Sequence, residues 1–115
     1  MTELFHITER ACWLHAAQAG EYRMSTRGVT LEEEGFIHCS LRHQLRDVAE
    51  FLYDDADDIV VLVTDSARVP VPVRYEAAEP GADAYPHIYG ALPADAVTSV
   101  VAVGRDQAGR HVLPG

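Results

Sequence analysis

Gly35-Phe36-Ile37-His38-Cys39-Ser40 sets a turn glycine, a short apolar strand, an imidazole and a serine suited to capping a helix within six residues. A strand that delivers a histidine just before a helix N-terminus places a proton carrier beside backbone N–H groups able to receive an anion. Side chains alternate along a strand, so Phe36 and His38 share one side while Ile37 and Cys39 share the other. His38 and Cys39 therefore do not converge on one ligand. Ser40 is predicted to begin the best helix of the chain, because Leu41, Leu45, Val48, Ala49 and Leu52 recur at the spacing of a core-facing stripe. His43, Arg46 and Asp47 lie off that stripe. Gln44, one turn beyond Ser40, is predicted to reach the same pocket.

Upstream, Leu4, Phe5 and Ile7 around His6 read as a short strand, with Thr8 as the cap of a helix from about Glu9 to Ala19 and Gly20 as its stop. Trp13 is placed as a core anchor of this helix. Cys12 and His15 are three apart and able to touch, but two residues do not make a structural zinc site. From Glu21 to Glu34 the pattern weakens: Tyr22 falls in a short strand, Ser25-Thr26-Arg27-Gly28 in a turn, and Leu31-Glu32-Glu33-Glu34 in a small helical or irregular acidic piece. This segment fits either a loop over a pocket or a solvated connection.

Downstream, the acidic run Asp54-Asp55-Ala56-Asp57-Asp58 lacks the glycine, spacing and terminal glutamate of a calcium loop and reads as a solvated turn. Ile59-Val60-Val61-Leu62-Val63 is a continuous apolar run, the mark of a central strand buried on both faces. Val69, Val71, Val73 and Tyr75 alternate with Pro70, Pro72, Arg74 and Glu76, which predicts an edge or irregular strand, since proline cannot donate to a ladder. Tyr85, His87 and Tyr89 alternate onto one side of the next strand. Leu92 to Ala96 reads as a short helical turn, Val97 to Val103 as a strand, and Asp106-Gln107-Ala108-Gly109 as a tight turn into a brief strand at His111-Val112-Leu113.

With 115 residues and 48% hydrophobic content, the chain is expected to form a single domain over residues 1–115 with a sizeable core. Eighteen acidic against nine basic residues give a formal charge of −9, which disfavours a nucleic-acid partner while leaving room for a small anion bound locally. The N-terminus lacks signal-peptide character and no apolar run approaches the roughly 20 residues of a membrane span, so a cytoplasmic protein without membrane contact is expected. Cys12 and Cys39 are read as reduced thiols. Rossmann glycines, a phosphate loop, a nucleophile elbow and a His-Glu-x-x-His zinc helix are all missing from the sequence.

The candidate site is a convergence of strand residues. His6, His38, Glu76 and His87 are the candidate catalytic groups, and Ser40, Gln44, Tyr85 and Tyr89 the candidate ligand-binding groups. Together they describe a pocket for an aromatic, hydroxyl-bearing, phosphorylated ligand. Each residue has a plainer reading beside this one: a half-buried structural histidine, a core tyrosine, a Glu76 paired with Arg74. Three functions remain open: an enzyme acting on a small molecule or nucleotide, a non-catalytic module using the histidines only for hydrogen bonds, and a metal-binding protein using His6, His38 and His87. The last requires three imidazole nitrogens at roughly 2.0–2.1 Å from one ion, and no metal site is assigned.

Phe5-His6-Ile7, Trp13, Gly20-Glu21-Tyr22, Gly35 to Ser40, Gln44, the valine-rich strand, Arg74-Tyr75-Glu76 and Pro86-His87-Ile88-Tyr89-Gly90 together resemble a family of small bacterial proteins. That family is known only as domain of unknown function number nine hundred and fifty-two. The resemblance implies an α+β architecture similar to the ADP-ribosyltransferases: split antiparallel sheets, two main helices and a central cleft for NAD. It implies NAD or a related nucleotide as ligand and substrate, with ADP-ribosyl or N-glycosidic transfer as the chemistry. His6 would then hold the ribose, Tyr85 or Tyr89 would stack on the base, and Glu76 would supply the carboxylate beside an oxocarbenium-like centre. His38 and His87 have no counterpart in the histidine-tyrosine-glutamate pattern of those enzymes.

Overall fold

The computed structural model describes residues 2–114. Strand β1 (Glu3–Glu9) leads into helix α1 (Arg10–Ala19), followed by β2 (Glu21–Tyr22), the hairpin β3 (Met24–Thr26) and β4 (Val29–Thr30), and the short helix α2 (Leu31–Glu34). Next come β5 (Ile37–His38), helix α3 (Leu45–Leu52) and β6 (Ile59–Asp65). The chain ends with β7 (Val73–Ala77), β8 (Ala84–Ile88), β9 (Leu92–Pro93), β10 (Val97–Ala102) and the pair β11 (Gly104–Arg105) and β12 (His111–Val112). Two three-stranded antiparallel sheets dominate, in the orders β1-β6-β10 and β5-β8-β7. The molecule is a mixed α+β fold with several antiparallel sheets and few helices.

The apolar run at Ile59 forms the middle strand of the first sheet, and its alternation divides the core in two. Val60 and Leu62, with Leu4, pack on one side against Ala16 of α1 and Ile37 and Ile88 of the second sheet. Ile59, Val61 and Val63, with Phe5 and Ile7, pack on the other side against Leu45 and Ala49 of α3 and against Tyr53. Burial on both faces explains why this stretch carries no polar alternation. Trp13 is partly buried against the first cluster. Pro70 and Pro72 precede β7 rather than interrupting it, as the missing N–H of proline requires.

Gly20 ends α1 with φ 91° and its N–H donates to the Ala16 carbonyl, the left-handed stop expected of it. Gly35 ends α2 the same way at φ 95° and aims the chain into β5. The start of α2 is fastened by a reciprocal cap between Thr30 and Glu33.

Two predicted helix starts are corrected. Thr8 is not a cap: β1 continues through Glu9, and the buried Thr8 hydroxyl lies 2.7 Å from the Tyr22 hydroxyl. Ser40 does not begin α3 either. It pairs with Phe5 through reciprocal backbone hydrogen bonds of 2.8 Å, tying the two sheets together, and α3 starts only at Leu45 after one turn of tighter helix at Arg42–Gln44. Asp55, Asp57 and Asp58 of the acidic turn meet Arg27, Arg105 and Arg10 in exposed ion pairs. Among the described residues no helix is long and apolar enough to cross a membrane.

Candidate functional site

The second sheet presents opposite characters on its two faces. Ile37, Cys39 and Ile88 enter the core, so Phe36, His38, Tyr85, His87 and Tyr89 must lie on the other face, as alternation predicts. There they form one wall of a cleft of about 1020 Å³, roughly the upper end of small-molecule pockets. Antiparallel register sets the rows of that wall. His38 stands opposite His87 and His87 opposite Arg74, while Tyr85 stands opposite Glu76. The facing wall comes from β3 and α3, with Ser25, Val48 and Phe51 among its residues.

Glu76 organises the titratable groups. One of its oxygens, Oε1, accepts from His87 Nδ1 at 2.8 Å and from the Tyr89 hydroxyl at 2.5 Å. These two bonds, Tyr89's first, hold the Glu76 carboxyl below its usual range, so it is ionised at neutral pH. With its Nδ1 proton engaged there, a neutral His87 carries a free lone pair on Nε2. Phe36 stacks on the His87 ring at 4.0 Å between centroids and 14° between planes, which fixes the ring's plane. The His38 ring lies 5.1 Å from that of His87 and 5.4 Å from that of Tyr85. Burial, and then the neighbouring His87, push His38 below the ordinary imidazole range, which favours a neutral base. Arg74 closes the row with its guanidinium 5.0 Å from the Tyr89 ring centre.

The structure thus brings together His38, Glu76, Tyr85, His87 and Tyr89 and leaves His6, Ser40 and Gln44 outside the cleft. His6 lies on the core-facing side of β1, opposite Leu62, and is 4% exposed. Its Nδ1–H donates to the His38 carbonyl at 2.6 Å, and its Nε2 lies 2.7 Å from the Tyr22 hydroxyl. Burial pushes its pKa down to about 4, so the ring is neutral and Nε2 accepts a hydrogen bond from the Tyr22 hydroxyl. His6 is therefore engaged with the backbone of β5 and with Tyr22, and it does not line the cleft. Ser40 is buried beneath that bridge, its hydroxyl 3.4 Å from the Phe5 carbonyl. Gln44 is buried too: its Oε1 accepts from Leu41 N–H at 2.9 Å and its Nε2 donates to the Ala84 carbonyl at 2.8 Å. Both are structural ties. The proposed trio of His6, His38 and His87 does not face one point, and among the described residues no group of three His, Cys, Asp or Glu side chains is placed to hold a metal ion.

Phe51, Glu34 and Ser25 were not expected in the cleft. Phe51 is 86% exposed, and the signal for it was an aromatic lying off the core stripe of α3. Ser25 is fully buried with no hydrogen-bond partner for its hydroxyl, and no local pattern announces that.

Fold and cleft define a small α+β protein with an aromatic pocket holding a carboxylate–histidine couple. The chain belongs to the family described as Protein of unknown function (DUF952), whose model matches residues 7–100. It is similar to the crystal structure of protein CC0527 from Caulobacter crescentus at 25% identity, with 96% of this chain and 94% of that chain covered and a TM-score of 0.83. It is also similar to the solution NMR structure of CC0527 at 25% identity, with 96% and 91% covered and a TM-score of 0.78. No curated protein matches the chain.

Proposed function

We propose that the cleft binds NAD or a related nucleoside-type ligand and acts on the bond between its aromatic ring and its sugar, in a fold of the ADP-ribosyltransferase kind. The observation that carries this reading is the Glu76–His87 couple beside His38 on an aromatic wall. Breaking a ring–ribose bond builds positive charge on the sugar, which an ionised Glu76 offsets, while Phe36, Tyr85 and Tyr89 supply flat surfaces for the ring. His87, oriented through Nδ1, and His38 are the groups for moving a proton to or from the attacking hydroxyl or water. A sheet that faces β3 and α3 across an open cleft suits this chemistry, although His6, the ribose-holding histidine of the resemblance, is committed to the core instead.

The test is incubation of the purified protein with NAD, with released nicotinamide followed by chromatography. Wild type is expected to release it, and Glu76→Gln and His87→Ala to lose at least tenfold in rate. NAD should also raise the melting temperature, since a ligand bound to the native state stabilises it. Stabilisation without turnover would convert the enzyme into a binding module; neither effect would remove NAD as the ligand.

A further inference from the structure

The charge lining the cleft is more negative than acid–base chemistry needs. Glu34, Asp47 and Glu50 line it together with Glu76, and no lysine or arginine side chain is among the lining residues. Glu76 is engaged by His87 and Tyr89, and Glu50 meets Arg110 at 2.7 Å. Glu34 and Asp47 have no ion-pair partner among the described residues. Both are exposed at their own positions, so neither carboxylate is needed to hold the fold. The influence of Asp47 nevertheless extends to the aromatic wall: burial first, then the charges of Asp47 and Asp83, raise the Tyr85 hydroxyl above its ordinary range.

Three further features bear on what such a cleft would take. Phe36, Phe51, Tyr85 and Tyr89 give it aromatic faces, whose negative quadrupole attracts a cation. Arg74 already uses one face of Tyr89 in this way. Ser25, buried behind the cleft wall with no partner for its hydroxyl, brings polarity to the lining without charge. A phosphate among these carboxylates would meet like charge, and the guanidiniums that touch lining residues are already engaged: Arg74 over Tyr89, Arg110 with Glu50, and Arg27 with the Leu52 carbonyl and Asp55.

Resting on the reading that the cleft holds a small aromatic ligand, we propose that it selects a flat-ringed organic cation, of which an N-substituted pyridinium is the simplest form. Such a ligand would draw on both features of the lining, the aromatic faces through its ring and the unpaired carboxylates through its charge. Its neutral, isosteric counterpart keeps the stacking and loses the charge. The phosphates of a larger nucleotide would then have to lie outside the carboxylate-lined part of the cleft.

The experiment is isothermal calorimetry at pH 8 with 1-methylnicotinamide and with nicotinamide, on wild type, Asp47→Asn, Glu34→Gln and the double variant, at low and high salt. The cation is expected to bind at least about tenfold tighter than nicotinamide at low salt, each substitution to weaken it about threefold, and added salt to compress the difference. Nicotinamide binding should not respond to either substitution. Equal or weaker binding of the cation overturns the charge selection and leaves a small-ligand cleft standing. Failure of both rings to bind also overturns it, and if NAD fails to stabilise the protein as well, the reading of the cleft falls with it. Thermal melts of each variant show whether the fold is intact, which exposed sites predict.

Discussion

His6 and His87 lie on neighbouring sheets and differ in one respect: how many ring nitrogens the protein has already used. His6 has partners on both, the His38 carbonyl and the Tyr22 hydroxyl, and is almost completely buried. His87 has a partner on Nδ1 alone, and its side chain keeps 12% exposure at the edge of the cleft. The two clusters are joined by a single residue, since His6 grips the backbone of the same His38 whose ring faces the cleft. A saturated imidazole stabilises, and an unsaturated one is available for chemistry. Substitutions should therefore separate the regions: large stability effects on the His6 side, functional effects with an intact fold on the His87 side.

The largest effect is expected from His6→Ala. It removes a buried ring and leaves the His38 carbonyl and the Tyr22 hydroxyl without their partner, at a cost of about 4 kcal/mol. Urea denaturation checks this, and a loss below about 1 kcal/mol would mean that the His6 cluster is not the saturated core element described above. The same ring sets a pH dependence. Its folded pKa of about 4 lies below the ordinary value of 6.5, so acid protonates the unfolded chain first. Stability is full above pH 6.5 and lost as pH falls toward 4, by about 2 kcal/mol at pH 5. His38, also lowered, adds in the same direction. His6→Gln, which cannot titrate, should flatten the slope between pH 6.5 and 5, where carboxylates contribute little. An unchanged slope would assign it elsewhere.

A smaller effect is expected at Gln44. Gln44→Ala removes two hydrogen bonds, one within the turn before α3 and one that ties this turn to β8, and should cost about 1 kcal/mol without changing ligand binding in the cleft. A change in binding with no change in stability would return Gln44 to the site.

These expectations also mark what could be read from the sequence. Strand alternation grouped Phe36 with His38 on one strand and Tyr85 with His87 and Tyr89 on another, and pairing of the two strands brings both groups to one face of the sheet. The central strand and the helical stripe of α3 were legible for the same reason: burial on both faces, or on one, writes itself into hydrophobicity. What alternation does not reveal is which side of a strand faces the cleft when both sides are covered. His6 sits between Phe5 and Ile7 and reads in the sequence as a candidate catalytic group of the pocket, yet its face enters a core that Tyr22 and Thr8 make polar enough to accept it. Ser40 carried the chemistry of a helix cap, but its backbone was claimed by Phe5 from a strand 35 residues away, a pairing with no local signature. Phe51 and Asp47 escaped notice because lying off the core stripe is also the mark of an ordinary solvent-facing residue.

The smallest stability effect, and the sharpest separation of the two histidines, is expected from Glu76→Gln. Glu76 keeps 40% of its side chain exposed, so an amide in its place finds water for what it loses and the melting temperature should hold. The change should appear in the His87 ring. A carboxylate can only accept, which selects the Nδ1–H tautomer and keeps the lone pair on Nε2. Glutamine can accept through oxygen or donate through nitrogen, and both tautomers then have a partner. Nitrogen-15 spectra of the imidazoles at pH 8 should accordingly show one dominant His87 tautomer in wild type and a mixture in the variant, while the His6 signals do not move. If His87 kept its tautomer without the charge, Phe36 stacking alone would be orienting the ring, and Glu76 would be left with only its electrostatic part in the cleft.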